Sequence, residues 1–80
     1  MKIKHDVVHI SHGPLGYFGV AQQEGAYKAL GAKPTLRSLL EASMQAESDP
    51  HIRSALQTIR LRAEELKWND GEIEKEFPAD

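Results

Sequence analysis

The sequence predicts an α+β fold in which an N-terminal β-hairpin, or small antiparallel sheet, packs against a C-terminal antiparallel helical hairpin. Three observations predict it. Residues 3–10 are rich in β-branched side chains (Ile3, Val7, Val8, Ile10), which favour a pleated strand over a helix. The run His12-Gly13-Pro14-Leu15-Gly16 that follows is dense in turn formers. From Thr35 onward the apolar residues recur at helical spacing.

Taken in order, residues 2–22 read as a hairpin, with a second extended stretch from Tyr17 to about Gln22. Val7 and Val8 are adjacent, so strict alternation fails there, and the first strand is either apolar on both faces or bulged. Residues 22–31 fit two states: a short helix closed by Gly31, weakened by Gly25, or a continuation of the second strand. Thr35 is placed to N-cap a helix over residues 35–47, with Leu36, Leu39, Leu40, Ser43 and Met44 on one face. Asp49 and Pro50 then read as N-cap and N1 of a final helix ending near Trp68, stopped by Asn69-Asp70-Gly71. Its stripe of Ile52, Ile59 and Leu66, flanked by Ala55, Leu56 and Ala63, is expected to pack on the leucines of the preceding helix. Residues 1–69 form the expected compact domain, and residues 70–80 an acidic, flexible C-terminal tail.

Composition narrows the chemistry. Eighty residues make one domain with a modest core, and 40% apolar with 28% charged residues is ordinary globular composition. There is no cysteine, which removes disulfides, thiolate catalysis and cysteine-ligated metal centres from within the chain. No apolar run approaches the roughly 20 residues that span a bilayer, and no apolar stretch follows the charged N-terminus, so a cytoplasmic location is expected. The net charge of −2 is uneven: residues 68–80 hold Asp70, Glu72, Glu74, Glu76 and Asp80 against Lys75 alone.

Several patterns invite a chemical reading. His5, His9 and His12 would share a face on a helix and could there ligate zinc. On a strand, His5 and His9 lie roughly 13 Å apart and His12 points the other way, so no metal site is expected. Ser11 and His12 are adjacent, which on a strand sends them to opposite faces and leaves no nucleophile beside a base. The spacing Gly13-x-x-Gly16-x-x-Gly19 matches neither the dinucleotide nor the Walker pattern. No cofactor is implied.

The expectation is therefore a small non-enzymatic protein that regulates or inhibits a macromolecular partner by protein–protein contact. Its expected contact residues are the apolar Tyr17, Phe18, Leu61 and Trp68, with Ile73 and Phe77 as anchors in the acidic tail. A homodimer through a free strand edge or the Leu61/Trp68 surface fits the same reading. The alternative is a DNA- or RNA-binding regulator using Arg53, Arg60, Arg62 and Lys67 on the last helix, although Glu64 among them suits a salt-bridged, solvated face better.

Overall fold

The computed structural model describes residues 1–79. Four strands, β1 (Lys2–His5), β2 (Val8–Gly13), β3 (Gly16–Gln23) and β4 (Ala26–Lys33), form one antiparallel sheet in sequence order. Three helices follow: α1 (Leu36–Ala46), α2 (Pro50–Glu65) and α3 (Asp70–Glu76). The α+β class and the strands-then-helices order agree with the sequence reading, and the sheet is larger than the minimal hairpin.

The two additional strands come from two tight turns. The β-branched run does not form one strand, because Asp6 takes a positive φ of 55° and reverses the chain, pairing His5 with Val8. Aspartate tolerates this left-handed conformation better than most side chains. The ambiguous residues 22–31 are strand: Glu24 (φ 50°) and Gly25 (φ 82°) form a two-residue loop with both central φ angles positive, the signature of a type I′ hairpin. Between β2 and β3, Gly16 takes φ 114°, and a Cβ there would lie 2.7 Å from the Lys33 carbonyl oxygen, so the position accepts no side chain. A bulge at Leu30, opposite the Gly19/Val20 step, offsets β4 on β3.

The helices cover one face of this sheet. Val8, Ile10, Tyr17 and Ala21 point inward and meet Leu36, Leu39 and Leu40 of α1 and Ile52, Leu56 and Ile59 of α2 in one core. Thr35 caps α1 in a reciprocal capping box with Ser38. Asp49 accepts from the His51 and Ile52 amides at the start of α2, with Pro50 where its missing N–H costs nothing.

The chain after Trp68 departs from expectation. Helix α2 ends at Glu65 in a Schellman arrangement, with the Lys67 amide donating to the Glu64 carbonyl (3.0 Å) and the Trp68 amide to that of Ala63 (2.8 Å). Asn69 is the start of the next helix rather than a stop: its side chain accepts from the Glu72 amide as the N-cap of α3. The expected flexible tail at 70–80 is thus corrected over its described part, since residues 70–76 are helical and pack on the domain; Asp80 lies outside the described residues. The physical reason is the four-residue spacing of Ile73 and Phe77, which places both on one helical face, 0% and 7% exposed. Asp70 and Glu72 in the first turn and Lys75 in the last also match the helix dipole.

A buried carboxylate ties the sheet to the helices. Glu47, 4% exposed, accepts from Lys28 Nζ of β4 (2.8 Å) and from the Asp49 amide (2.9 Å). The Lys28 hydrogen bond chiefly holds the Glu47 carboxyl below the usual carboxylate range, against the opposing effect of burial.

Two outcomes follow from this packing. Ile73→Ala should lower unfolding free energy in urea by about 3 kcal/mol, because it empties a fully buried site; a loss within ~0.5 kcal/mol would return residues 70–79 to a solvated tail. Glu47, with its folded pKa depressed, adds stability that is complete above the ordinary carboxylate range and is lost as pH falls through the lower folded value. Lys28→Met should therefore cost about 2 kcal/mol at neutral pH, tempered by the half-exposed lysine, and progressively less on acidification.

Candidate functional site

The first surface is the sheet face that no helix covers. Strand alternation and register fix its occupants in two cross-strand rows: Lys4, His9, Val20 and Ala29, then Lys2, Ser11, Phe18 and Ala32, with Gln22 and Tyr27 beside them. Phe18 is 49% and Tyr27 71% exposed. The face therefore runs from cationic at β1 to apolar at β3 and β4. The four strands hold four lysines and no acid, and two of those lysines, Lys2 and Lys4, stand on this outer face.

The two edges of the sheet differ. On β1 the Lys4 amide donates to the Phe77 carbonyl (3.1 Å) and Ile3 forms a β-bridge with Pro78, so the chain covers this edge itself. Edge strand β4 is exposed along most of its length, but its bulge, Lys28 and Lys33 are features that discourage strand addition. The outer face and the β4 edge are thus the parts of the sheet that no other described element covers.

The second surface is a cleft of about 520 Å³ where the β2–β3 end of the sheet meets the α2–α3 junction. His12, Tyr17, Leu36, Arg37, Trp68 and Asp70 contribute to its walls. Lys67 (φ 57°) and Trp68 (φ 58°) are consecutive left-handed residues without glycine, a strained turn that aims the indole into this cleft. The Tyr17 hydroxyl donates to Asp70 Oδ2 (2.6 Å), and its ring stacks on His12 with centroids 3.9 Å apart and planes 2° from parallel. Burial first, then the Asp70 hydrogen bond and charge, push the Tyr17 phenol up to about 12. Tyr17 is thus a proton donor at neutral pH and does not serve as a base there. Arg37 lies over the Trp68 ring, its Cζ 5.6 Å from the centroid.

The expected contact residues are dispersed among these places. Phe18 is on the outer face, whereas Tyr17 is a cleft wall and only 9% exposed. Trp68 is half-buried beside the core in the same cleft, and Leu61, 52% exposed, stands on α2 near His5 and Phe77. Ile73 and Phe77 are core residues, which corrects their reading as anchors free to order on a partner. Tyr27 and Ala29 lie within residues 22–31, which the sequence leaves open between helix and strand, and the Glu24-Gly25 pair that turns this hairpin is not one of the usual two-residue turn pairs.

The arginines of α2, Arg53, Arg60 and Arg62, are engaged within the chain. Arg53 donates to the Met44 and Glu47 carbonyls that end α1. Arg60 Nε is 3.9 Å from Glu64, and Arg62 bonds Glu65 (2.8 Å) and Glu76 (3.2 Å). Those hydrogen bonds, the one to Glu76 first, raise the Arg62 pKa further. Lys67 is off the helix altogether, so the sevenfold spacing of Arg53, Arg60 and Lys67 makes no continuous basic stripe.

The histidines separate too. His5 makes an edge contact with Phe77 (5.3 Å between centroids), His9 is on the outer face and His12 is on Tyr17. His51 pairs with Asp6 (2.8 Å). Among the described residues, no three His, Asp or Glu side chains are grouped to hold a metal ion, and no helix is long and apolar enough to cross a membrane.

The Tyr17 phenol, with its folded pKa raised, adds stability that is complete below the ordinary tyrosine value and is lost as pH rises through about 12. In a spectrophotometric titration, the difference between wild type and Tyr17→Phe should show this phenolate appearing only near pH 12. Its appearance near the ordinary tyrosine value would mean that neither the burial of Tyr17 nor its Asp70 hydrogen bond is held in solution. No known protein family, curated protein or solved structure matches this chain, and the reading of both surfaces rests on their own chemistry.

Proposed function

We propose that the protein is a small non-enzymatic binding module that regulates a protein partner by docking the uncovered face of its sheet onto it. The observation that carries this reading is the outer face itself: exposed Phe18 and Tyr27 around Val20, Ala29 and Ala32, with Lys2 and Lys4 at one side. Burying such aromatics supplies much of the energy of a protein interface, and the flanking lysines select a partner whose apolar patch has carboxylates beside it. The face is shaped by a sheet already held from behind by the helical core, so docking orders little additional backbone.

The inner side of the fold supports a binding role over a catalytic one. Ser11 and His12 sit on opposite faces, and the Tyr17 proton is held by Asp70. The outer face also bears on the alternative partner class: aromatics and lysines on a sheet are the equipment of single-stranded nucleic acid binders as well, but two outward lysines give that face a small charge for the purpose.

The test compares tagged wild type with Phe18→Ser/Tyr27→Ser in pull-downs from nuclease-treated lysate. Wild type should recover a near-stoichiometric protein that the double variant loses, with the variant's Tm within about 2 °C because both side chains are exposed. Retention of that protein by the double variant and its loss by Leu61→Ser would move the contact to α2. Salt-sensitive binding of a single-stranded oligonucleotide, lost in the double variant, would replace the protein partner with nucleic acid.

A further inference from the structure

We propose that the cleft between His12, Tyr17, Trp68 and Asp70 is a receptor for one organic cation of the guanidinium or alkylammonium type, with Arg37 as its built-in competitor. This goes beyond docking by the sheet face, from which it is separate. Asp70 carries the anionic half of the site. Its Oδ2 accepts from the Tyr17 hydroxyl at 2.6 Å and lies 3.9 Å from His12 Nδ1, and among the described residues no lysine or arginine is within salt-bridge distance of it. A half-exposed carboxylate with no lysine or arginine partner among the described residues, set in a cleft with aromatic walls, is an environment that attracts a cation. The Tyr17 hydrogen bond fixes the orientation of that carboxylate.

The aromatic half is already in use. The Arg37 guanidinium lies over the Trp68 ring, so a cation of the chain itself occupies the surface that a ligand cation would take. Its ion-pair partner is Glu41 on the solvent side of α1 (Nε to Oε2 3.6 Å), not Asp70. Arg37 can therefore leave the indole while keeping Glu41, and an incoming cation gains both the ring and the half-exposed Asp70 carboxylate. A lone cation–π contact at an exposed site is weak, and the displacement has a low cost.

The experiment is an amide and indole NMR titration of the whole chain with four probes: ethylguanidinium, butylammonium, N-acetyl-arginine methylamide and its uncharged isostere N-acetyl-citrulline methylamide. The cations should shift the Trp68 indole N–H and the Asp70 amide saturably, with Kd on the order of 1 mM, and citrulline should not. Asp70→Asn should weaken binding about tenfold or more, Trp68→Phe severalfold, and Arg37→Gln should tighten it severalfold, a gain that no loss of structure can imitate. Tighter binding of the arginine amide than of ethylguanidinium assigns the site to a protein side chain; equal affinity assigns it to a free small cation. Equal shifts from citrulline, no saturation by about 20 mM, or weaker binding by Arg37→Gln would overturn the proposal. Phe18→Ser/Tyr27→Ser should leave the titration unchanged, so this site and the docking face stand or fall separately.

Discussion

A four-stranded sheet has two faces, and the apolar helical surface in this chain is sufficient for one. That constraint organises the molecule. Leu36, Leu39 and Leu40 of α1 and Ile52, Leu56 and Ile59 of α2 are spent on the inner residues Val8, Ile10, Tyr17 and Ala21. Full burial of each such side chain is worth roughly 1.5–3 kcal/mol, the dominant favourable contribution in a chain this small. With no second layer of helices among the described residues, the opposite side chains of the same strands are left in solvent, outside the core's requirement for apolar packing.

The helical half was readable because its signals are local. Thr35, Asp49 and Pro50 announce helix starts through their own side chains, and the leucine and isoleucine spacing gives the buried faces directly. The sheet was less readable because its two missed turns are made by Asp6-Val7 and Glu24-Gly25. Val7 has the β propensity of the strand it interrupts, and Glu24 is an unusual residue at φ 50°. Alternation is sensitive to such errors, since a missed turn changes which face every later residue occupies. Phe18 was identified as a contact residue from its type, but Tyr27, Ala29 and Ala32 needed the β4 register to be seen.

The cleft was hidden for a different reason. Tyr17 and Asp70 are far apart in sequence, and what joins them is a Schellman turn with lysine at its left-handed position, where glycine is the residue that sequence patterns recognise. An expected continuous helix to Trp68 would have carried the indole away from Tyr17. The αL residues Lys67 and Trp68 instead redirect the chain so that α3 returns across the β1 edge, bringing Asp70 to Tyr17 and Ile73 to the core on the way.

That return has a kinetic consequence. The bridge between Ile3 and Pro78 closes nearly the whole chain into a loop, and the contacts that hold it depend on a seven-residue helix too short to be stable alone. The α3 segment is therefore suited to dock late and detach early, as a unit distinct from the rest of the core. The hydrogen of the Lys4 amide, bonded to Phe77, exchanges with solvent whenever that unit lifts, even while the other strands remain paired. Because the same unit carries Asp70, the exchange rate of a single amide in the first strand reports how often the cleft at the far end of α3 is dismantled.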